Sequence, residues 1–252
     1  MIHYFEELTS SNDEAVSAAY GEGDVVWAER QTAGRGQRGH RWHSAGGENV
    51  TFTLVLEPRF LPVDRQFLLS EAVTLGIVDC LAENGIAASI KWTNDIYVGD
   101  RKITGMLIEH KLGDGVITRT LAGIGVNVNQ TEFDPSLPNP VSMALAAGRQ
   151  FDRRPLLERL VECIMARYGA VRAGGEALEA LQRDYHRHLY RLGEEHWYGR
   201  PDGSRFRGTI RGVEPTGALL VEDAATGEVR GYLFREIEFV LKSDSNALPL
   251  RK

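Results

Sequence analysis

The spacing of apolar residues alternates between stretches typical of strands and stretches typical of helices. Val50 to Glu57 is almost continuously β-branched and apolar, which predicts a buried strand. Asp64 to Asn84 has apolar residues at helical spacing and is followed by Gly85. This pattern predicts a long buried helix that ends at the glycine. The stripe from Leu156 to Tyr168 begins just after Pro155, a residue suited to the first turn of a helix.

Weaker patterns between these segments predict the remaining elements of the first 192 residues. Helices are predicted at Asn12 to Tyr20 and Glu176 to Tyr190, and strands at Asp24 to Glu29, Ser89 to Val98, Arg101 to His110 and Val116 to Asn129. Glycine–aspartate turns separate the last three strands, so we expect three consecutive antiparallel strands. The segment from Gln31 to Gly47 is rich in glycine and arginine and is predicted to be a long loop.

After about Leu192–Gly193 the pattern changes to short apolar stretches punctuated by glycine. Strands are predicted at Ser204–Arg211, Ala218–Glu222 and Val229–Phe234, as in a small β-barrel. The predicted fold class is therefore α+β: a mixed, largely antiparallel sheet backed by helices in residues 1–192, and a small β-barrel with a short polar tail in residues 193–252.

Composition narrows the class of protein. The 252 residues are 42% hydrophobic and 25% charged, with a net charge of −6, which is typical of a soluble globular protein and argues against a dedicated nucleic-acid binder. No apolar run reaches the roughly 18 residues of a membrane helix, and the start does not resemble a signal peptide. Cys80 and Cys163 lie in apolar helical patterns and are predicted to be buried, reduced thiols. We therefore expect a cytoplasmic protein without membrane contact.

The loop Gly34-Arg-Gly-Gln-Arg-Gly39 matches the G-x-G-x-x-G pattern of dinucleotide-binding folds. That pattern should open a helix, yet His40 to Gly47 is not helical in character, and neither P-loop nor kinase motifs accompany it. Its glycines still allow the backbone to approach a ligand, and its arginines suit phosphate or carboxylate. A solvated surface loop is the alternative interpretation, and the loop alone does not decide between them.

Two further segments carry candidate chemistry. In Lys91-Trp-Thr-Asn-Asp95, a strand would place Lys91 and Asp95 on one face, where the lysine either holds an anionic group or pairs with Asp95 at the surface. In Ala122 to Asn129, two glycines within a strand pattern indicate close backbone approach or a bulge. The amide of Asn127 is able to read a purine, or is simply an edge-strand residue near a turn.

Histidine pairs offer a third kind of chemistry. His40 and His43, and His186 and His188, have spacings compatible with metal ligation. Because no third ligand accompanies either pair, surface histidines are the preferred interpretation, and no metal site is assigned.

Taken in order along the chain, these motifs resemble those of the biotin–protein ligases. The family's Gly-Arg-Gly-Arg-Arg-Gly loop is matched by Gly34 to Gly39, its Lys-Trp-Pro-Asn-Asp segment by Lys91 to Asp95, its Gly-Ile-Gly-Ile-Asn segment by Gly123 to Asn127, and its Ser-Thr-Asn by Ser10 to Asn12. The resemblance implies a class II synthetase or biotin-ligase-like catalytic domain followed by an SH3-like barrel. Gln37, Thr93 and Ser11 depart from the family's residues.

The resemblance also implies roles for individual residues. Those implied to bind biotin are Ser10, Ser11, Asn12, Gln31, Arg35, Gly36, Gln37 and Lys91, those implied to bind ATP are Arg38, Trp42 and Asn127, and those implied in catalysis are Lys91, Arg35 and Asp95. Lys91 would lie between the biotin carboxylate and the α-phosphate. Asp95 would accept or orient a proton of the attacking amine.

The implied activity has two steps and uses ATP and Mg²⁺. Biotin and ATP give biotinyl-5′-AMP, and the biotinyl group then passes to a lysine of an apo biotin carboxyl carrier protein. No DNA binding is expected, because the biotin-site match begins by Ser10 and the net charge is negative. A homodimer is possible. Two alternatives stay open: an acyl ligase acting on lipoate or octanoate, and a non-catalytic ligand-binding module.

Overall fold

A seven-stranded sheet forms the larger part of the computed structural model, which describes residues 1–36 and 42–241. Its strands are β1 (Ile2–Leu8), β2 (Val25–Gln31), β3 (Val50–Leu56), β4 (Ser89–Lys91), β5 (Asp95–Val98), β6 (Arg101–Gly113) and β7 (Val116–Val126). They lie in the order β1-β2-β3-β7-β6-β5-β4, with β1 parallel to β2 and every other neighbouring pair antiparallel.

The inner strand β3 is buried along its whole length because both faces of the sheet are covered at that point. Phe52, Leu54 and Leu56 belong to the main hydrophobic core, which also contains the apolar faces of the long helices. Val55 points to the other face and packs in a smaller cluster with Ala15. Since side chains alternate along a strand, the threonines of β3 lie on that second face, where the candidate site is found.

The two longest helices pack against each other. The helices are α1 (Ser11–Glu14), α2 (Phe67–Glu83), α3 (Met143–Ala147), α4 (Arg153–Ala173) and α5 (Gly175–Arg187), with a 3₁₀ turn at Val63–Arg65. Helices α2 and α4 approach closely at Gly76, where a side chain would collide with the backbone of Ile164. Across the described ranges, none of these helices has both the length and the apolar character that crossing a membrane requires.

A second, antiparallel sheet follows α5. It contains β8 (Glu195–Gly199), β9 (Arg205–Val213), β10 (Leu219–Asp223), β11 (Val229–Tyr232) and β12 (Glu238–Phe239), in the order β11-β10-β9-β8-β12. Within the described part of the chain, its pairings form an open sheet and not a closed barrel, an arrangement that fits an SH3-like module. The predicted α+β class is thus confirmed, whereas the domain boundary at 192/193 stays a prediction.

The two sheets are in direct contact. The indole N–H of Trp92 donates a hydrogen bond of 2.9 Å to the carbonyl oxygen of Gly217, and Trp92 is only 6% exposed. Apolar residues of β8 to β11 belong to the same hydrophobic cluster as the core of the larger sheet. The second sheet is therefore packed into the structure and not attached by a linker alone.

Several elements differ from the sequence-based expectations. The strand β1 was not predicted, because its residues are half-buried or exposed at the edge of the sheet. The strands β8 and β12 were also missed. The predicted helix at Asn12 to Tyr20 is a single turn, Ser11–Glu14.

The prediction of one strand from Ser89 to Val98 is wrong. Lys91 pairs with Asp95 across a tight turn between β4 and β5, so the three residues between them do not alternate between two faces as strand residues would. The turn lacks the glycine that usually marks such a reversal, so the sequence pattern did not reveal it.

Candidate active site

A cavity of about 420 Å³ opens where the larger sheet meets the second sheet. Its walls are formed by the N-terminus of α1, the described residues Arg35, Gly36 and Trp42 of the glycine–arginine loop, the β4–β5 turn, the facing parts of β6 and β7, and the segment around β12. The residues that line it include Ser10, Ser11, Asn12, Gln31, Arg35, Gly36, Trp42, Lys91, Asp95, Lys102, Gly105, Gly123, Gly125, Phe234 and Phe239. The structure therefore brings together most of the candidate residues from separate motifs.

One end of the cavity carries neutral hydrogen-bonding groups. The backbone N–H of Ser11 donates to Oε1 of Gln31 at 2.8 Å. The hydroxyl of Thr53 lies 2.8 Å from Oγ of Ser11 and 2.6 Å from Oδ1 of Asn12. Ser10, Ser11 and Asn12 are each less than 5% exposed, and the partners of Ser11 and Asn12 set the orientation of these two side chains.

At Gly123 and Gly125, a neighbouring group occupies the position that a side chain would fill. A Cβ on Gly123 would overlap the side-chain amide of Asn12, and a Cβ on Gly125 would overlap the indole of Trp42. Gly105 is paired with Gly125 across β6 and β7 and contacts the same ring, because a Cβ on Gly105 would come within 2.8 Å of Cζ3 of Trp42. The two glycines together form a slot that holds the indole. The Gly-Ile-Gly motif is thus explained by two close approaches on one face of β7.

Arg35 is bound to two carboxylates. Its Nη1 and Nη2 donate to Oε1 and Oε2 of Glu109 at 3.0 and 2.8 Å, and Nη2 lies 2.8 Å from Oδ1 of Asp13. This two-point geometry is the one that matches a guanidinium to a carboxylate. In this structure, Arg35 therefore fastens the glycine–arginine loop to β6 and α1 instead of offering an unpaired charge to a phosphate.

The opposite end of the cavity carries two lysines. Nζ of Lys102 lies 2.7 Å from Oδ1 of Asp95 and 5.7 Å from the ring centre of Trp42. Nζ of Lys91 lies 5.0 Å from the ring centre of Phe239 and 5.4 Å from that of Tyr97, distances at which cation–π attraction is effective. Burial raises the pKa of Tyr97 to about 12, so its ring is a neutral phenol beside Lys91.

Sequence reasoning missed Lys102 as a site residue. Its signal was the scarcity of lysine, since only five of the 29 basic residues are lysines. Lys102 follows the predicted turn at Gly99-Asp100, and its place opposite Tyr97 in the β5–β6 pairing directs it to the cavity. Glu109, Asp13 and Thr53 were missed as well, because nothing in their local sequence distinguishes them from surface or core residues.

Other candidates lie elsewhere. Asn127 is 5% exposed, its Nδ2 donates to the carbonyl oxygen of Val141 at 3.1 Å, and it is not part of the cavity lining. The candidates Gln37, Arg38 and His40 lie outside the described residues.

The histidine pair at 186 and 188 does not converge on a shared site. Nδ1 of His186 and of His188 each lie 2.8 Å from a backbone carbonyl four residues earlier. No group of three or more potential metal ligands converges within residues 1–36 and 42–241.

The comparison with known proteins agrees with this arrangement. Residues 4–129 match the model of the biotin/lipoate A/B protein ligase family. The chain belongs to this family. The matched region contains every described candidate residue on the larger sheet, including the cavity ends formed by Asn12 and Lys102.

Named relatives of this ligase family match over most of the chain. The bifunctional ligase/repressor BirA of Bacillus subtilis is 30% identical over 237 residues, which cover 87% of this chain and 68% of that protein. The biotin–[acetyl-CoA-carboxylase] ligase of Paracoccus denitrificans is 29% identical over 229 residues, which cover 87% of this chain and 93% of that protein. The chain spans 62% to 68% of the length of matched BirA proteins.

A solved structure has the same fold. The biotin protein ligase from Aquifex aeolicus in complex with biotin and ATP superposes with a TM-score of 0.79, covering 94% of this chain and 97% of that chain. The two sequences are 23% identical in this comparison. The likeness therefore shows that both sheets and the helices behind them are common to the two proteins.

Proposed function

We propose that this chain is an ATP-dependent biotin–protein ligase, which forms biotinyl-5′-AMP and transfers the biotinyl group to a lysine of a biotin carboxyl carrier protein. The observation that carries the proposal is the polarity of the cavity: neutral donors and acceptors at one end, and two lysines, together with the carboxylates of Asp95 and Glu238, at the other. A ligand with a neutral, hydrogen-bonding head and an anionic tail fits this arrangement. The names of the relatives support the same activity.

The neutral end suits a ureido headgroup. Such a group needs both donors and acceptors, and the cavity provides hydroxyl groups from Ser10 and Ser11 and amides from Asn12 and Gln31. Because these groups are buried and held by one another, they are ordered before the ligand arrives, which lowers the entropic cost of binding.

The lysine end suits the first half-reaction. A carboxylate oxygen of biotin attacks the α-phosphorus of ATP, the bond to the β-phosphate breaks, and pyrophosphate leaves. Two anions must approach each other, and positive charge from Lys91 and from Lys102, once Lys102 exchanges its contact with Asp95 for the phosphate, would lower the barrier. ATP enters as its Mg²⁺ complex, and since the described residues provide no cluster of ligands, we assign no protein ligand to the ion.

The second half-reaction needs a neutral amine and a protected intermediate. The carrier's lysine attacks the carbonyl carbon of the mixed anhydride, and AMP leaves. Asp95 lies at the lysine end, 2.7 Å from Lys102, where its carboxylate is able to orient or accept the amine proton. Asp95→Asn should therefore slow transfer from pre-formed biotinyl-5′-AMP, and an unchanged transfer rate would remove this role.

A lipoate or octanoate ligase is the second candidate, since the family includes such enzymes. A dithiolane or alkyl tail makes no use of buried amides, and burying unpaired polar groups is costly. The amide-lined end therefore favours biotin.

Roles for Arg38 and Asn127 in ATP binding, a homodimeric assembly and the absence of DNA binding stay predictions. A cytoplasmic location is consistent with two unpaired cysteines at Cys80 and Cys163.

The deciding experiment incubates the protein with Mg–ATP, an apo biotin carboxyl carrier domain and one acid at a time: biotin, lipoate or octanoate. We expect the carrier to gain the mass of one biotinyl group at one lysine, with pyrophosphate released only in the biotin reaction. Modification by lipoate or octanoate instead would identify the second candidate. No modification and no pyrophosphate with any acid would favour a non-catalytic binding module.

A further inference from the structure

The carboxylate of Glu109 joins two residues that come from different segments of the chain. Nδ2 of Asn12, at the start of α1, donates to Oε2 of Glu109 at 2.7 Å. Arg35, in the loop after β2, makes its two-point contact with the same carboxylate. Glu109 lies on β6, so a single side chain of the sheet holds both the helix start and the loop at the neutral end of the cavity.

This contact also fixes which way the amide of Asn12 points. A carboxylate only accepts hydrogen bonds, so Asn12 must turn its NH₂ group to Glu109 and its oxygen to the hydroxyl of Thr53, which lies 2.6 Å away. Nδ2 also donates to the carbonyl oxygen of Leu107 at 3.3 Å, so without the charge on Glu109 the amide would keep only this longer bond and its contact with Thr53. The pattern of donors and acceptors that a ligand meets at this end thus depends on a residue that is not itself part of the cavity lining.

The charges around Arg35 add a second effect. Its guanidinium is shared by Glu109 and Asp13, so the three groups together carry a net negative charge. At the other end, Lys91 and Lys102 are matched in number by the carboxylates of Asp95 and Glu238, so that end carries no net negative charge. An anionic group is therefore disfavoured near Glu109 and Asp13 relative to the lysine end, which orients a ligand that has one charged terminus.

We propose that Glu109 is a positioning residue for the substrate's headgroup. It fixes the amide of Asn12 and the guanidinium of Arg35, and together with Asp13 it makes this end of the cavity accept an uncharged headgroup and reject an anionic one. The inference rests on the proposed function, because the headgroup in question is the ureido group of biotin.

The test is Glu109→Gln in the full chain, measured by pyrophosphate release. The substitution keeps the size of the side chain but removes the charge. We expect the KM for biotin to rise about tenfold, as for the loss of one hydrogen bond to a charged group, while the KM for ATP is unchanged. Asp13→Asn, which removes only the second anchor of Arg35, should raise the KM for biotin by less. Glu109→Asp, which keeps the charge, should restore part of the loss.

The matched control is Glu83→Gln. Glu83 makes a two-point contact with Arg159 at 2.7 and 2.6 Å, at similar exposure but away from the cavity. This control should leave both KM values unchanged. A Glu109→Gln variant with the wild-type KM for biotin would overturn the inference, as would one in which the KM values for biotin and ATP rise together. If the wild-type protein itself does not activate biotin, it is the proposed function that fails.

Discussion

The indole of Trp42 occupies the space that a side chain on Gly125 would need. The ring lies flat in a slot whose floor is the paired glycines of β6 and β7, Gly105 and Gly125. Its N–H is buried and has no hydrogen-bond partner among the described residues, so packing and not hydrogen bonding holds it there. The position of this ring beside Lys102 depends on two missing methyl groups.

Gly125→Ala should displace Trp42 and reduce activity. Because the new methyl group would overlap the ring, we expect kcat/KM for pyrophosphate release to fall at least about tenfold, as for a displaced contact of the active site. The control is Gly169→Ala, within α4, where a side chain meets nothing within 4 Å. This control should raise the free energy of unfolding by about 0.5–1 kcal/mol and keep full activity. Full activity in Gly125→Ala would contradict the assigned slot.

Lys102→Met should impair the first half-reaction. Removing a charge that faces the developing negative charge costs roughly 100-fold or more in kcat. The measurement is pyrophosphate release at saturating biotin and ATP. Lys111→Met changes an exposed lysine on the same strand and is expected to have no effect. Equal activity of the two variants would show that Lys102 is not part of the reaction.

Trp92→Phe should weaken the contact between the two sheets. The substitution removes the N–H that donates to Gly217 and leaves that carbonyl oxygen without its partner, at a cost of about 1–3 kcal/mol. Guanidinium unfolding monitored by circular dichroism measures the loss. Trp197→Phe, at a tryptophan that is 43% exposed, is the matched control and should change stability by less than about 0.5 kcal/mol. Equal effects would mean that the interface bond contributes nothing measurable.

Glu71 should make stability depend on pH. Burial raises the pKa of its carboxyl group from 4.5 in the unfolded chain to about 7, and Oε2 has no hydrogen-bond partner in the described structure. Between these two values the folded state binds more protons than the unfolded state, so stability falls as pH rises. The full loss, present above about pH 7, is about 3 kcal/mol for a shift of this size.

The measurement compares wild type and Glu71→Gln by urea unfolding at several pH values. Near pH 4 the two proteins should be about equally stable, and by pH 8 the variant should be more stable by the amount above. Glu6→Gln is the control for removing a carboxylate from an exposed position. A constant difference across the pH range would show that Glu71 has the same pKa in both states.

The sequence predicted those elements whose pattern lies within one segment, and missed those that depend on contacts between distant segments. The strand Val50–Leu56 and the helix Phe67–Glu83 were predicted because continuous burial and helical periodicity are properties of the segment itself. The edge strand Ile2–Leu8 lacks such a pattern, since its polar residues face solvent. The turn between Lys91 and Asp95 was missed because it contains no glycine, and only the pairing of β4 with β5 reveals it.

The residues of the cavity show the same difference between local patterns and contacts of distant segments. Asn12, Arg35 and Lys91 were found through short motifs, but their partners were not, because Glu109 and Thr53 become neighbours of Asn12 only when β6 and β3 are in register with α1. The interpretation of Arg35 as a phosphate-binding charge did not foresee that two carboxylates already bind it. Motif spacing therefore located the cavity, whereas the pairing of strands determined which charges in it are compensated.

The wall that Phe234 and Phe239 contribute has a consequence for biosynthesis. A growing polypeptide contains the groups that hold the headgroup, all before residue 126, long before it contains β12. Until translation has passed Phe239, the cavity is open on one side and Lys91 lacks one of its two aromatic neighbours. The wall formed by β12 is therefore the last part of the cavity to be synthesised, and a nascent chain that stops before Phe239 lacks it.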